Sequence, residues 1–323
     1  MSKQEKILIC PLDWGLGHAS RCIPLIYAFL QQGHEVLYAG SGDAFALLQR
    51  EFPQLTGIDL PSFTLRYSST SSQVWAVAKA LPRLLRMSIA EHRRIRKIVR
   101  EYGITRVVSD NRFALYGCGC ECVYLTHQVW VKLPQSVAWL EPLVAFLHRK
   151  IMQRYDACWI PDYAERELSL AGELSHPRKL PANAQYIGPL SRFVPVADKE
   201  TTSLTMAVLS GVEPQRSLWE ALLLEQLQQD EACRVVLVQG LPQKEVVPYK
   251  VGRVEVYASM PTEQLQQHLI QASHIICRSG YSSIMDMAAL GKMAQTTFVP
   301  TPGQSEQEYL AVYLNAKNFG EHR

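Results

Sequence analysis

Short runs of apolar and β-branched residues alternate with longer helical stretches along the chain, and this alternation limits the fold more than any other feature. Buried parallel strands read as short continuous apolar runs, and each pair needs a crossover that is usually a helix. The sequence therefore predicts an α/β fold with parallel sheets. The strand-like runs are residues 6–12, 35–39, 106–110, 123–127, 158–161 and 185–187, and then residues 204–209, 234–239, 254–257, 274–277 and 295–299.

The pattern starts twice, and the two series are separated by a segment without apolar periodicity. This segment, GPLSRFVPVADKETTS at residues 188–203, is rich in Pro, Ser and Thr, which is typical of an interdomain linker. We predict two Rossmann-like domains, at residues 1–190 and 204–323, joined by a linker at residues 191–203. Because such sheets bind ligands at the carboxyl ends of their strands, the two domains should face one ligand across a cleft.

The charge balance argues against a protein that binds nucleic acid. The 33 Lys and Arg residues against 30 Asp and Glu residues leave a net charge of only +3. The charge is uneven, since residues 204–323 hold nine Lys and Arg against 12 Asp and Glu. The N-terminal half is therefore the basic half, and no nucleic-acid partner is expected.

Neither export nor a structural metal is indicated by the sequence. The apolar run at residues 7–12 is too short for a secretory signal, and no window approaches 18 uncharged apolar residues. The eight cysteines are scattered, which favours a reducing cytoplasm over a disulfide scaffold. Cys118, Cys120 and Cys122 alternate as on one face of a strand, whereas zinc sites usually use C-x-x-C spacing, so we predict no metal site.

The first strand runs into PLDWGLGHASR at residues 11–21. Gly15 and Gly17 let the backbone approach a ligand and direct helix amides at negative charge. His18 follows on the turn, where it is either a general base or a helix cap, and Asp13 is the competing base or the carboxylate that orients it. A dinucleotide fingerprint would need Gly or Ala at Ser20, so a dehydrogenase is disfavoured.

The second series of strands carries three segments suited to a nucleotide-linked sugar. Hydroxyls, amides and cations after strands can bind phosphate, a carboxylate can accept both hydroxyls of a ribose, and side-chain amides can bind sugar hydroxyls. The predicted donor-binding residues are Ser210, Gly211 and Arg216 in the first segment, Arg278, Ser279, Gly280, Ser282, Ser283 and Asp286 in the second, and Gln304, Gln307 and Glu308 in the third.

The GLGH turn, RSGYSSIMD and PTPGQSEQEYLA together resemble the GT-B glycosyltransferases of family 28, in an uncharacterised branch. The resemblance implies that His18 lies near the acceptor hydroxyl and that Asp286 binds the donor ribose. It also implies that Gln307 and Glu308 touch the donor sugar, with Glu308 replacing the second glutamine of the family's pair. The chain ends about where the family continues into helices that cross back onto the first domain, so we expect these helices to be absent.

The predicted activity is an inverting, metal-independent transfer of a sugar from a nucleotide diphosphate donor, with UDP-sugar favoured, to an unknown acceptor hydroxyl. The absence of an Asp-x-Asp motif favours metal independence, and no cofactor is expected. Two alternatives stay open at this point. One is a nucleotide-sugar 2-epimerase, in which Glu308 and Asp110 or Asp13 would move a proton, and the other is a non-catalytic nucleotide-sugar binding protein.

The acceptor should bind to the basic N-terminal half and could be lipid-linked. Residues 74–100 combine eight cations with one Glu and many apolar residues, as expected of a helix lying peripherally on an anionic membrane. The alternative is a helix packed on its own sheet with a solvated basic face. The apolar stretch at residues 139–147 is predicted to be core or a cleft wall.

Overall fold

The computed structural model describes residues 4–61, 73–195, 201–229, 233–242 and 247–317, with only the backbone described at residues 73–85. Two sheets form the described part of the chain, one on each side of the predicted linker. The mixed α/β architecture with two Rossmann-like domains is the one that the sequence predicted. Across the described residues, no helix is long and apolar enough to cross a membrane.

The first sheet has seven described strands in the order β3-β2-β1-β4-β5-β6-β7, and all the pairs are parallel. The order runs outward in both directions from β1, so the switch between β1 and β4 leaves a crevice at their carboxyl ends. The strands are β1 (Lys6–Pro11), β2 (Glu35–Gly40), β3 (Gly57–Asp59), β4 (Arg106–Asp110), β5 (Glu121–Leu125), β6 (Ala157–Ile160) and β7 (Ala184–Tyr186).

The second sheet has the order β10-β11-β9-β8-β12-β13 in the described residues, with only β10 and β11 antiparallel. The strands are β8 (Thr202–Val208), β9 (Arg234–Val238), β10 (Tyr249–Val251), β11 (Val254–Tyr257), β12 (Ala272–Arg278) and β13 (Thr296–Val299). The switch point lies between β8 and β12, so this domain also presents a crevice at its carboxyl ends.

Helices cover both faces of each sheet. The α-helices in the described residues are α1 (Leu16–Gln31), α2 (Gly42–Glu51), α3 (Gln73–Tyr102), α4 (Glu141–Met152), α5 (Gln215–Leu227), α6 (Thr262–Gln271), α7 (Tyr281–Ala289) and α8 (Ser305–Ala316). Short 3-10 helices lie at Gln135–Leu140, Gly172–Leu174 and Met293–Gln295.

The alternation of side chains along β1 shows how the core is built. Leu8 and Cys10 point to the face covered by α3 and α4, whereas Ile7 and Ile9 point to the face covered by α1 and α2. All four side chains are fully buried. A strand buried on both faces needs apolar residues at every position, which is why the run could be recognised from the sequence.

The first sheet ends at Tyr186 and the second begins at Thr202. The predicted linker, residues 191–203, follows the first sheet and extends two residues into β8. Residues 196–200 lie outside the described residues. Cys122 lies on β5, but Cys118 and Cys120 precede this strand in an irregular loop. The prediction that the three cysteines share one face of a strand is therefore wrong.

Helix α8 carries contacts from the second domain back to the first. The Tyr309 hydroxyl accepts a hydrogen bond from the backbone N–H of Glu173 at 2.8 Å, and the Tyr313 hydroxyl donates to the Ser169 carbonyl at 2.9 Å. Lys317 Nζ lies 2.7 Å from the same carbonyl oxygen. Contacts that cross between the two domains are thus present at α8 itself.

Candidate active site

A cavity of about 880 Å³ lies where the carboxyl ends of the two sheets meet. Its N-terminal wall includes the loops after β1, β4 and β5, and its C-terminal wall includes the loops after β8, β9, β12 and β13. Carboxyl ends of parallel strands are where α/β domains bind ligands. This cavity is therefore the candidate active site.

Eleven of the 16 predicted site residues line the cavity, and five do not. Those that line it are Gly15, Gly17, His18, Ser210, Gly211, Gly280, Ser282, Ser283, Asp286, Gln304 and Gln307. Those that lie outside its lining are Asp13, Arg216, Arg278, Ser279 and Glu308. The cavity thus draws together segments separated by more than 250 residues in the sequence.

The two glycines of the first turn are required by different local geometries. Gly15 has a φ of 102°, a conformation that side chains rarely adopt, and it precedes the first residue of α1. At Gly17 a Cβ would lie 2.5 Å from Ser282 Oγ, which donates to the Gly17 carbonyl at 2.9 Å. The second glycine therefore permits the close approach of α1 to α7 across the domain boundary.

His18 pairs with Asp110, which stands at the end of β4. His18 Nδ1 lies 3.2 Å from Asp110 Oδ1, and Arg21 Nε donates to Asp110 Oδ2 at 2.7 Å. The Arg21 guanidinium also contacts Asp110 Oδ1 and lies 2.8 Å from His18 Nδ1. Burial would raise the pKa of Asp110, but Arg21 and His18 together lower it to about 2. Asp110 is therefore a buried, ionised partner for the histidine.

A second histidine extends this polar network to the other domain. Arg21 Nη1 lies 3.0 Å from His127 Nδ1, and His127 Nε2 lies 2.7 Å from Glu306 Oε1 on α8. The Gln128 side-chain amide donates to the other oxygen of Glu306. Burial lowers the pKa of His127. Burial alone would raise the pKa of Glu306, but the nearby His127 and Arg21 outweigh that effect and lower it. The carboxylate thus stays ionised at the domain boundary.

Sequence reasoning missed Glu306, His127 and Arg21 as members of the site. A usable signal existed for Glu306, because it stands between Gln304 and Gln307 in the segment already assigned to the sugar. No comparable signal marked His127, whose ring stacks on Tyr281 with centroids 4.1 Å apart. Its role depends on β5 ending beside α7, which only the tertiary structure shows.

Asp286 lines the cavity from the second turn of α7. Its Oδ1 accepts a hydrogen bond from Ser191 Oγ at 2.7 Å, and its other oxygen lies 3.9 Å from Arg192 Nε. Burial raises the pKa of Asp286 to about 6 against the opposing effect of Arg192. A carboxyl group with such a pKa changes charge close to neutrality and can accept ligand hydroxyls when ionised.

The third predicted segment divides between the cavity and its supporting loop. Gln307 Nε2 donates to Gln304 Oε1 at 2.7 Å, and Gln307 Oε1 accepts from the backbone N–H of Thr301 at 2.9 Å. Glu308 instead accepts from the backbone N–H of Gly303 at 2.8 Å and is exposed. Glu306 rather than Glu308 is thus the acidic side chain that faces the cavity.

Asp13 has a local structural partner at the start of α2. Its carboxylate accepts from Ser41 Oγ at 3.3 Å and from the backbone N–H of Ala44 at 3.4 Å. Carboxylates in this position cap a helix and interact favourably with its dipole. The partner of His18 is therefore Asp110, not Asp13.

The two predicted phosphate-binding arginines are buried beside the cavity. Arg216 is paired with Glu213 and Glu220 at 2.6 Å each, so its charge is already balanced. The Arg278 guanidinium lies 3.8 Å above the Trp219 ring, and burial lowers its pKa to about 10. Neither of these two arginines therefore presents an unpaired charge to the cavity, and the predicted donor-binding residues that do line it carry hydroxyls, amides and the Asp286 carboxylate.

Residues 205–322 match the family model of the glycosyltransferase family 28 C-terminal domain. The chain is a glycosyltransferase of GT-B fold, and its C-terminal domain matches family 28. This match covers the donor-side segments on which the sequence resemblance rested.

The glycosyltransferase is similar along nearly its whole length to two uncharacterised glycosyltransferases of Methanosarcina acetivorans. The first is 23% identical over 98% of this chain and 84% of its own length. The second is 24% identical over 98% of this chain and 83% of its own length. Transfer is thereby favoured over the epimerase and over the non-catalytic binding protein.

Solved glycosyltransferase structures share the fold of the chain at low sequence identity. The calicheamicin glycosyltransferase CalG4 superposes with a TM-score of 0.59 at 12% identity, over 96% of this chain and 84% of that one. A UDP-glucosyltransferase from Polygonum tinctorium gives a TM-score of 0.60 at 13% identity, over 98% and 84%. LpCGTa in complex with UDP gives 0.55 at 14% identity, over 96% and 83%.

Proposed function

We propose that the glycosyltransferase moves a sugar from a UDP-sugar to an acceptor hydroxyl with inversion at the anomeric carbon. The observation that carries this proposal is the His18–Asp110 pair on the wall of a cavity whose opposite wall holds the family 28 segments. The pair supplies a base, and the opposite wall supplies groups suited to a nucleotide diphosphate. Among the residues that the structure describes, no three His, Cys, Asp or Glu side chains are grouped to hold a metal ion.

The donor is assigned to the C-terminal wall. Gly211 precedes α5 and Gly280 caps α7, so backbone amides at these helix starts can bind the diphosphate, which they would stabilise without a divalent metal. Asp286, one turn further into α7, is placed to accept the ribose hydroxyls when ionised. The complex of LpCGTa with UDP shows that a protein of this fold binds this nucleotide. These features favour UDP as the donor nucleotide.

The sugar would lie between the two walls. Gln304 and Gln307 offer amide groups that both donate and accept, and Glu306 offers a carboxylate that only accepts. Glu306 is held by His127 and Gln128 of the other domain. Sugar recognition would therefore depend on both domains being in contact.

The base in this mechanism is His18. The Asp110 carboxylate can only accept hydrogen bonds, so a proton on His18 Nδ1 directed at Asp110 leaves Nε2 with a free lone pair. Arg21 Nη2 also lies 2.8 Å from Nδ1, so this tautomer requires the Nη2 hydrogens to point at Asp110 rather than at the ring. Nε2 takes the acceptor proton as the acceptor oxygen bonds to the anomeric carbon. The bond from that carbon to the diphosphate oxygen breaks on the opposite side of the ring, which inverts the centre. Asp110 stabilises the imidazolium that forms.

The donor assignment is tested by thermal unfolding with nucleotide diphosphates and their sugars. Ligand at 100 times its Kd stabilises the fold by about 2.7 kcal/mol, so UDP and UDP-glucose should raise Tm while the guanine and adenine analogues should not. Asp286→Asn keeps the shape of the side chain and removes its charge, so it should lower UDP-glucose affinity about tenfold. Equal stabilisation by all nucleotides would contradict the assignment to UDP.

The same binding measurement should depend on pH. The pKa of Asp286 is raised to about 6, so the carboxylate that accepts the ribose hydroxyls is lost as pH falls through that value. UDP-glucose, whose diphosphate does not titrate near neutrality, should bind more weakly as pH falls through about 6, and the loss should level off at about tenfold, as in the uncharged Asp286→Asn. This dependence of UDP-glucose affinity on pH should be absent in Asp286→Asn. A profile that is identical in the two proteins would remove Asp286 from donor binding.

We also propose that the basic N-terminal domain contacts an anionic membrane, as predicted for residues 74–100. Side chains at 73–85 lie outside the described residues, and in the described part Ile95, Ile98 and Val99 pack into the core. Cations on the outer side of this helix surround a shallow pocket and remain available; they are Arg93, Arg96, Lys97 and Arg100. The described part of α3 therefore offers positive charge to an anionic membrane. The apolar side chains that would enter the membrane must lie on another element.

Exposed apolar side chains lie on the neighbouring helix, α4, and the 3-10 turn before it. Trp139 is 76% exposed, Leu143 54% and Leu147 53%. We expect vesicles with anionic lipid to sediment the protein at low salt, and Leu143→Glu to weaken this about tenfold or more. Val312→Glu, at an exposed site on α8, is the matched control. No sedimentation of the unaltered protein would remove the membrane from the proposal.

A further inference from the structure

One part of the N-terminal wall of the cavity is mostly apolar. It is formed by one face of α4, the turn before it, residues 131–134 after β5 and the loop after β4; its apolar residues are Phe113, Val131, Leu133, Pro134, Val137, Leu140 and Val144. The polar residues that line this part are Asn111, Lys132 and His148, the last of which lies on α4. His148 also lines the cavity and is itself 7% exposed. A polar group in such a wall binds a polar atom of whatever ligand occupies it.

One nitrogen of His148 has a partner and the other does not. Nε2 lies 3.1 Å from the Tyr124 hydroxyl, and this hydroxyl donates to Asn111 Oδ1 at 3.3 Å. The hydroxyl has one proton, and we assign it to the bond with Asn111 Oδ1, which makes Nε2 the protonated nitrogen of His148. Nδ1 is then a buried acceptor, and no described residue bonds to it.

The surroundings keep His148 neutral. Burial lowers its pKa to about 4, so the ring is uncharged at neutral pH and Nδ1 keeps its lone pair. Buried acceptors without a partner are rare and destabilise a fold, so such a group calls for an explanation. The ring of Phe113 packs edge-on against the imidazole, with the ring centroids 5.6 Å apart, and Phe113 is 44% exposed. Access of a ligand to Nδ1 requires a side chain beside the imidazole to move, and Phe113 is the exposed candidate.

The polar chain from His148 ends beside the proposed base. Asn111 directly follows Asp110 and has a φ of 55°, a left-handed conformation that is uncommon outside glycine. Its backbone N–H donates to the Leu125 carbonyl at 3.2 Å, which holds this conformation in place. Asp110 and Asn111 thus connect the base and the buried acceptor through consecutive residues of one loop.

We propose that His148 Nδ1 accepts a hydrogen bond from a second hydroxyl or N–H of the acceptor, and that the acceptor is an apolar ring compound with two such donors. One donor would lie at His18 and react, and the other would lie at His148 and orient the molecule. This inference rests on the proposed transfer to a hydroxyl at His18. His148 is a positioning residue, since it does not touch the reacting atoms.

The test compares 2,7-dihydroxynaphthalene with 7-methoxy-2-naphthol by calorimetry. The compounds share shape and apolar surface, but only the diol keeps a second donor. The unaltered protein should bind the diol about tenfold more tightly, beyond the factor of two expected for a symmetric ligand. His148→Phe should reduce the preference to about twofold. Val144→Ala should weaken both compounds equally, because it removes apolar wall and no acceptor.

Two further measurements keep the inference falsifiable if His148→Phe does not fold. His148→Gln keeps an acceptor and should retain part of the preference. In the unaltered protein, the ¹⁵N resonance of His148 Nδ1 should move on binding the diol and not on binding the methyl ether. Equal affinity for the two compounds, or binding of neither by a protein that binds UDP-glucose, would overturn this inference and leave the donor assignment intact. Failure of UDP-glucose itself would instead count against the proposed function.

Discussion

Replacing His18 by alanine is expected to lower kcat at least 10²-fold while UDP-glucose affinity changes less than about twofold. A positioned general base typically contributes about 10²- to 10⁴-fold to the rate, and this contribution exists only in the transition state. The side-chain partners of His18 among the described residues are Asp110 and Arg21, both of the N-terminal domain, so its removal should leave nucleotide binding nearly intact. The measurement is steady-state release of UDP with an identified acceptor, together with calorimetry of the donor.

Two variants separate a catalytic role of His18 from a structural one. Asp110→Asn keeps the shape of the partner and removes the charge that stabilises the imidazolium, so kcat should again fall by a large factor. His274→Ala is the control, because this histidine is exposed on β12 and bonds only to Thr297 among the described residues. Unchanged turnover of His18→Ala would remove His18 from the mechanism.

Replacing Arg21 by methionine is expected to lower the free energy of unfolding by about 3–5 kcal/mol. Asp110 and Arg21 are both almost completely buried, so the variant leaves a buried carboxylate without its main partner. Removing one member of a buried ion pair costs about this much because the remaining charge is uncompensated. Chemical denaturation followed by circular dichroism measures the loss.

The matched control for this stability prediction is Arg234→Met. Arg234 forms a comparable pair with Glu255 at 2.7 Å, but its side chain is 54% exposed, so the expected loss is about 1 kcal/mol or less. If the two variants lost similar amounts of the free energy of unfolding, burial of the Arg21–Asp110 pair would not be the reason for the loss.

The pH dependence provides a second check on the Arg21 variant. In the unaltered protein the pKa of Asp110 is lowered to about 2, so its contribution to stability is present above the unfolded value, about 4, and is lost as pH falls through 2. In Arg21→Met only His18 still opposes the effect of burial, and we expect burial to dominate and to raise the pKa of Asp110 above the unfolded value. Protonation of Asp110 should then stabilise the folded variant as pH falls from neutrality. The difference in the free energy of unfolding between the variant and the unaltered protein should become smaller. A difference that is constant from pH 7 to 5 would contradict this account.

Strands buried on both faces were the elements that the sequence predicted best. The predicted runs at residues 6–12 and 35–39 match β1 and β2 to within one residue at their ends, because a strand covered by helices on both sides is apolar at nearly every position. Strands β3 and β10 were missed. Each has three residues and lies at the edge of its sheet, so it carries too few buried positions to form a pattern.

Helix α8 and the stretch at residues 139–147 show why amphipathic patterns are harder to interpret. The sequence analysis assigned the segment of α8 to sugar binding without predicting its secondary structure, and it forms a helix whose tyrosines contact the first domain. The stretch at 139–147 was predicted to be core or cleft wall. Leu140 and Val144 do line the cavity, whereas Leu143 and Leu147 are exposed. Apolar residues on both faces of a helix do not show which face is covered by the rest of the protein.

The sequence alone determined the α/β class, the double start of the pattern and most of the loops that meet at the cavity. These features are local, since buried strands, glycine turns and helix starts are each encoded by neighbouring residues. Only the tertiary structure decided which charges are paired, because the partners of His18, Arg21 and Glu306 come from strands and helices far apart in the chain. It placed Arg216 between two glutamates and joined His18 to Asp110 rather than to the nearby Asp13. The pairing of charged side chains depends on their distances in the folded protein, and these distances cannot be read from the order of residues in the sequence.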